Sequence, residues 1–295
     1  MKNVLVTGGA GFIGSHLCEG LLAAGYRVRV LDSLVYGKRE WVPQAAEFIE
    51  GDIRDINACH RATTGMDAVL HCAAMSRSGP SQEHLDLCTQ SNIAGTQNML
   101  LAARDAGVRK FLYSGSSTYY GSRTPPHHES DPPDFLNIYG LTKRVGEQYC
   151  LLFDKGFGLP CIVFRYFNVY GPRQPEAGAY ALVLGIFLRR QAEGKTLEIH
   201  GDGAQRRDFV HVRDVVSANL AALKSDVRGE VFNVGSGTNI SVKELADLIS
   251  PDQLHTEGRK GDSVATLADI SKIRSALGWS PQISFAQGLE ELRAK

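Results

Sequence analysis

Tyr139 and Lys143 stand four residues apart in Tyr139-Gly-Leu-Thr-Lys143, a spacing that sets a phenol and an ammonium on one face of a helix. Such a phenol can take the proton of an alcohol. A neighbouring ammonium favours the phenolate, lowering the tyrosine pKa from its ordinary value of about 10. Taken alone, the pair is commonplace on helix surfaces. Its weight comes from Ser114-Gly115-Ser116-Ser117-Thr118-Tyr119-Tyr120-Gly121, which closes the fifth predicted strand. A hydroxyl at the carboxyl end of a strand in an open α/β sheet lies in the crevice where ligands bind.

The partner for that chemistry is written at the other end of the chain. Val4-Leu5-Val6-Thr7 runs into Gly8-Gly9-Ala10-Gly11-Phe12-Ile13-Gly14, and an amphipathic segment from Ser15 to Ala24 follows. This is strand, glycine turn, helix. The glycines fit G-x-G-x-x-G as Gly9, Gly11 and Gly14, and a wider pattern as Gly8, Gly11 and Gly14. Either set permits a tight turn, close backbone approach to a pyrophosphate and close helix packing, with the helix N-terminus facing the phosphates. Gly8, Gly11, Phe12, Ile13 and Gly14 are therefore candidate cofactor contacts. The second strand ends at Asp32, 18 residues beyond Gly14, where a carboxylate accepts hydrogen bonds from ribose hydroxyls. Its charge repels a 2′-phosphate and favours NAD over NADP. Lys38 and Arg39 lie nearby and pull the other way unless they are solvated loop charges.

These groups need a scaffold that brings strand ends together. From Lys2 to about Leu112 short apolar runs alternate with longer amphipathic stretches, the pattern of a parallel, doubly wound sheet. The predicted strands are Asn3 to Thr7, Arg27 to Asp32, Glu47 to Glu50, Ala68 to Cys72 and Lys110 to Ser114. Helices are predicted after Gly11 and across Asn92 to Ala106. Pro125, Pro126, Pro132 and Pro133 make Thr124 to Asp134 a loop, one that borders the site. A strand over Cys161 to Tyr166 is separated from a helix around Tyr180 to Ala192 by the Pro- and Gly-bearing stretch Arg173 to Ala179. The last third mixes short strands, small helices and loops. The expected fold is α/β: a doubly wound parallel (Rossmann) sheet with a smaller mixed α/β C-terminal domain that binds substrate.

Composition limits the partners. With 295 residues and 43% hydrophobic content the chain can bury a sizeable core, which excludes disorder. Lys plus Arg and Asp plus Glu both number 32, so no broad basic face is expected for nucleic acid, and an anion must be gripped locally. Cys18, Cys59, Cys72, Cys88, Cys150 and Cys161 form no C-x-x-C pair and show no zinc spacing; buried free thiols in a reducing cytoplasm are expected, and no metal. No signal-like apolar run precedes Val4, and no apolar stretch of membrane-spanning length follows it. A cytoplasmic protein with no membrane partner is the expectation.

The same motifs, in order, resemble an extended short-chain dehydrogenase/reductase of the nucleotide-sugar epimerase and dehydratase family, over nearly the whole length. The likeness is carried by Thr7 to Gly14, Gly51-Asp52-Ile53-Arg54-Asp55, His71-Cys72-Ala73-Ala74, Asn92, the serine strand, and Tyr139 with Lys143. It continues through Arg165-Tyr-Phe-Asn-Val-Tyr-Gly-Pro-Arg173, the run Gly201 to Asp214, Asn233-Val-Gly-Ser-Gly237, and Gly261-Asp262 followed by Ala268-Asp269. The resemblance implies that Tyr139 is the general base, that Lys143 holds the nicotinamide ribose and tunes Tyr139, and that Ser116 bonds the reacting hydroxyl with help from Thr118. It implies further cofactor contacts from Asp52 and Ile53 at adenine, Ala73 and Ala74 along the dinucleotide, Asn92, and Phe167 beside the nicotinamide. On the substrate side it implies Ser76 at the sugar, Asn168 at the phosphate, Arg207 and Arg259 on the diphosphate, and Asp262 at the nucleoside ribose. It divides the chain into an NAD-binding domain, residues 1–167 with returning segments around 209–236, and a nucleotide-sugar-binding domain, residues 168–208 and 237–295. It also implies a homodimer through the helix carrying Tyr139 and its predecessor.

The reaction implied is epimerisation at C4 of a nucleotide sugar, with UDP as the leading nucleotide, through a transient 4-keto sugar and with NAD regenerated in place. Dehydratases and decarboxylases of the family carry an acidic residue, often an Asp-Glu pair, after the serine or threonine of the active strand; here those positions are Ser117 and Thr118. Thr266 stands where some members have a bulkier residue against the sugar, which leaves room for an N-acetyl group. Ser76-Arg77-Ser78-Gly79 departs from epimerases with a lysine near Ser76, and Arg77 could meet the carboxylate of a uronic acid. The alternatives are a 4-ketoreductase or dehydrogenase using the same three residues, a dehydratase, and a dinucleotide-sensing regulatory protein, since fold alone does not fix function. The Ser116, Tyr139 and Lys143 set argues against a sensor, which needs no proton path.

Overall fold

Val4, Leu5 and Val6, Val69 and Leu70, and Cys161 to Phe164 are almost completely buried. Strands buried on both faces pair in parallel under helices on both sides. That is the arrangement in the computed structural model of the chain, which describes residues 1–76, 78–176, 181–258 and 264–294, and for residues 78–80 the backbone alone. Seven strands form the central sheet: β1 (Asn3–Thr7), β2 (Arg27–Asp32), β3 (Glu47–Glu50), β4 (Ala68–His71), β5 (Lys110–Ser116), β6 (Cys161–Tyr166) and β7 (Glu230–Val234). Their order is β7-β6-β5-β4-β1-β2-β3, and every pairing is parallel.

Successive residues along each strand point to opposite faces. Val4, Val6, Leu70, Leu112, Ile162 and Phe164 share one apolar cluster with Leu17, Cys18 and Leu21 of α1 (Phe12–Ala23) on one side. Leu5, Val69, Phe111, Tyr113 and Val163 meet α2 (Ile56–Thr63), α3 (Gly95–Asp105) and α4 (Ile138–Phe157) on the other. The first face is completed by α5 (Val212–Lys224), which runs into β7. Lys110 at the start of β5 donates from Nζ to the carbonyls of Ala222, Ser225 and Val227, closing the C-terminal end of α5. A third apolar cluster, with Tyr170, Leu184, Phe187, Leu197, Phe209 and Leu245, lies outside the sheet among short two-stranded pairings.

Differences from the expected elements are local. β4 ends at His71, one residue early, and β5 runs two residues past Ser114 because Gly115 and Ser116 pair with Arg165 and Tyr166 of β6. The helix expected from Asn92 opens as a π turn over Gln90–Ala94 before α3. The helix expected around Tyr180 to Ala192 covers Val183–Ala192, and Tyr180 lies outside the described residues. All six cysteines are free thiols; burial pushes Cys59 up to about 12 and Cys72 up to about 11. Among the described residues no helix is long and apolar enough to cross a membrane.

Candidate active site

The carboxyl ends of β1, β4, β5 and β6 open on one cleft of about 910 Å³. Its first wall is the glycine turn. Gly8 has φ +70, and Gly11 N–H bonds the Gly8 carbonyl at 3.1 Å. A Cβ on Gly8 would lie 2.8 Å from Ala73 N, and one on Gly14 would lie 2.0 Å from the Gly8 carbonyl oxygen. Gly8, Gly11 and Gly14 are thus the glycines of the turn, whereas Gly9 packs toward Val30. No side chain caps α1, so its first amides, at Phe12 and Ile13, are left for a ligand. This tight turn under an uncapped helix fits a dinucleotide diphosphate.

Asp32 lines the same cleft, its carboxylate oriented by Ala10 N–H (2.9 Å) and Leu34 N–H (2.8 Å). Of the two nearby cations, Lys38 lies over the Trp41 ring and Arg39 over that of Phe48. Asp52 and Ile53 also face the cleft. Hydrogen bonds from Arg54 hold the Asp52 carboxyl below the usual range.

Ala73 and Ala74 form the floor, and a buried chain of hydrogen bonds fixes it. Ala73 N–H bonds Thr7 Oγ1 (3.2 Å), which lies 2.7 Å from His71 Nδ1; His71 Nε2 lies 3.1 Å from Thr96 Oγ1, which donates to the Asn92 carbonyl (2.7 Å). Because Thr96 spends its proton on Asn92, His71 Nε2 is the donor to Thr96. A neutral ring then leaves Nδ1 to accept from Thr7. Burial, assisted by Lys143, does push His71 down to about 3. Asn92 is expected from the resemblance to touch the cofactor, but it does not line the cleft. Its Oδ1 accepts from Met75 N–H and its Nδ2 donates to the Met75 carbonyl and Thr142 Oγ1, so it braces the floor against α4 from behind.

The opposite wall carries the hydroxyls and the helix pair. Ser116, Thr118, Tyr139 and Lys143 all line the cleft. Thr118 donates from both N and Oγ1 to Ser116 Oγ, at 3.3 and 2.9 Å, which leaves the proton of Ser116 to be given elsewhere. Asn137 caps α4 by accepting from Gly140 N–H, setting Tyr139 in the first turn. Lys143 is 5% exposed with Nζ 4.8 Å from the Tyr113 ring, and burial brings its ammonium down to about 8. α4 sits close because Gly146 faces Tyr113, whose hydroxyl would lie 2.2 Å from a Cβ there. The helix is pinned by a buried ion pair, Arg165 to Glu147, at 3.0 and 2.8 Å. Arg165 also donates to Tyr120 Oη (2.8 Å) and to the Glu129 carbonyl, so one guanidinium ties α4, the serine segment and the 124–134 loop together. Arg165 and Glu147 are 18 residues apart, and no local pattern announces them as partners.

Phe167, Asn168 and Ser76 complete the cleft. Asn168 donates from Nδ2 to the Asp208 carbonyl (3.0 Å) and Thr266 Oγ1 (3.3 Å). The Asp208 carboxylate, fully buried, accepts from the amides of Ser236, Gly237 and Ala268, which joins three segments beneath that edge. Nothing in the sequence reading singled it out. Arg207 is not brought to the main cleft: it donates to the Arg206 carbonyl and lines a smaller pocket of about 320 Å³ with Ser236 and Asn239. Arg77, Arg259 and Asp262 lie outside the described residues.

Residues 4–235 match the family described as NAD dependent epimerase/dehydratase. The chain is similar to a UDP-glucose 4-epimerase of Thermotoga maritima, solved with UDP-glucose: TM-score 0.94, 36% identity, 99% of both chains covered. A UDP-glucose 4-epimerase of Thermus thermophilus in complex with NAD gives a TM-score of 0.91 at 34% identity, again over 99% of both chains. A UDP-N-acetyl-alpha-D-glucosaminuronate decarboxylase of Bacillus cytotoxicus is 34% identical over 98% of this chain and 96% of its own.

Proposed function

Because the chain belongs to the NAD dependent epimerase/dehydratase family, we infer that it catalyses NAD-dependent epimerisation at C4 of a UDP sugar through a transient 4-keto intermediate. The observation that carries this reading is the single cleft shared by an uncapped glycine-turn helix and by Ser116, Tyr139 and Lys143. NAD, when bound on Gly8, Gly11 and Gly14 with its ribose on Asp32, supplies a reversible hydride acceptor. Tyr139 takes the proton of the C4 hydroxyl. Lys143, charged and buried, favours the phenolate and holds the nicotinamide ribose. Ser116, with its proton uncommitted to Thr118, donates to the same substrate oxygen. When the ketone turns its other face, the hydride held by the reduced cofactor would return to C4 from that side while Tyr139 gives the proton back to the C4 oxygen, which inverts the centre. Asp52, Ile53, Ala73, Ala74 and Phe167 border the dinucleotide; Ser76 and Asn168 border the sugar nucleotide, with Arg207, Arg259 and Asp262 assigned to the nucleotide by likeness.

Decarboxylation, the activity in the name of one relative, is disfavoured because Ser117 and Thr118 supply no carboxylate beside Ser116. A hexose or N-acetylhexosamine is the favoured sugar: by likeness the short Thr266 stands at the sugar, and its hydroxyl is occupied in accepting from Asp208 N–H and from Nδ2 of Asn168 at the cleft edge. The two units, 1–167 with 209–236 and 168–208 with 237–295, are the dinucleotide and sugar-nucleotide binders. Leu141 and Leu152, exposed and eleven residues apart on one face of α4, support a homodimer through that helix. The test is incubation of purified protein with UDP-glucose, UDP-N-acetylglucosamine and UDP-glucuronate, no cofactor added, followed by product stereochemistry. The expected result is a C4 epimer of one of the first two without net NADH. A product lacking the 6-hydroxyl, release of carbon dioxide, or a demand for stoichiometric NADH would overturn the reading.

A further inference from the structure

Among the described residues, Arg173 and Leu34 are the non-glycine positions with positive φ, and Arg173 stands at φ +66. A side chain there is strained, and such strain persists where surrounding contacts over-determine it. Arg173 is third in the turn Gly171-Pro-Arg-Gln174, closed by Gln174 N–H on the Gly171 carbonyl at 3.1 Å. Its Nη2 donates to Glu19 Oε2 and to His16 Nδ1, the latter at 3.1 Å. His16 Nε2 in turn reaches the Pro172 carbonyl at 2.8 Å. Since Nδ1 accepts from a guanidinium, Nε2 carries the proton and donates. His16 and Glu19 belong to α1, the helix whose N-terminus opens on the glycine turn. Two residues of the turn are therefore fastened to the dinucleotide-binding helix from opposite sides of one imidazole.

The turn ends on Gln174, which is 7% exposed and lines the cleft. Its Oε1 faces Gly171 N–H at 3.4 Å, while Nε2 is buried with no hydrogen-bond partner among the described residues. A buried amide donor left unmade is costly, and because Gln174 lines the cleft, an acceptor oxygen of a ligand there is a partner the cleft can supply. We propose that Arg173 is a positioning residue: its contact with Glu19 and His16 latches the 171–174 turn to α1 and so sets the Gln174 amide against an oxygen of the nucleotide sugar. The ligand's identity rests on the epimerase reading. The latch gives the sugar-nucleotide wall a geometry referenced to the dinucleotide seat.

Arg173→Asn tests this, because asparagine tolerates the left-handed region but has no guanidinium. Glu19→Ala, at a half-exposed site, removes the carboxylate acceptor of the same contact from the helix side. With NAD-loaded enzyme, both variants should raise KM for the UDP sugar roughly tenfold, as loss of a charged hydrogen bond predicts. Little change is expected in kcat, melting temperature or retained NAD, and the double variant should be no worse than Arg173→Asn. An unchanged KM in both variants would overturn the proposal. So would a loss of NAD or of thermal stability in step with KM, which would place the residue in cofactor binding or folding. If the unaltered protein inverts no UDP sugar, the functional reading fails by itself, and calorimetric binding of UDP-glucose and UDP-N-acetylglucosamine to the same variants still decides the latch.

Discussion

Tyr139→Phe is expected to lower kcat by about a thousandfold, within the range that general acid–base groups supply, while the protein keeps its NAD. The substitution removes one oxygen and leaves the ring. Tyr139 lies in the first turn of α4, whose cap at Asn137, ion pair at Glu147 and close contact at Gly146 do not involve the phenol oxygen. The contacts that hold α4 in place are therefore kept. What is lost is the acceptor for the C4 proton. Lys143 cannot replace it: Tyr139 is the group placed to relay the proton, and the ammonium is already assigned to the ribose. Turnover of the UDP sugar and the NAD content of the purified variant measure the two halves separately. Near-normal turnover would remove Tyr139 from the mechanism.

Gly14→Ala is expected to weaken NAD binding on the order of a hundredfold, the scale of overpacking a rigid contact. The added Cβ would fall 2.0 Å from the Gly8 carbonyl oxygen, 2.7 Å from its carbon and 2.9 Å from Gly9 Cα. All three are backbone atoms, so no side chain can swing aside. Relief requires α1 to back away from the turn, which separates the helix amides from the carbonyls that shape the diphosphate seat. Gly156→Ala is the control: it lies in the last turn of α4 with nothing within 4 Å of its Cβ, and it should bind NAD normally. Equal NAD affinity in Gly14→Ala and the parent would contradict the assignment of the turn.

The sheet was legible because burial on both faces leaves continuous apolar runs, and β1, β2, β3 and β6 lie where the sequence puts them. β5 reads two residues short because Gly115 and Ser116 have no strand propensity of their own; their pairing with β6 extends it. The glycine turn was legible as a turn, but the choice between Gly8 and Gly9 depends on how near Ala73 and Val30 come, a matter of strand packing. His71 appears in a motif, yet its place between Thr7 and Thr96 requires the register that sets Thr7 opposite His71 across β1 and β4. Asn92 looks like a ligand contact until the π turn places its amide between Met75 and Thr142. Arg165 with Glu147, and Asp208 with its three amides, join distant segments, and local periodicity carries no trace of such pairs.

The central claim is that the hydrogen at C4 leaves as hydride and comes back to the same carbon from the bound cofactor. The direct measurement uses the UDP sugar that turns over, labelled with deuterium at C4, in ordinary water, with the product examined by mass and NMR. The account predicts an epimer that keeps its deuterium at C4 and gains no solvent hydrogen there. Loss of the label to water, with solvent hydrogen at C4 of the product, would contradict it.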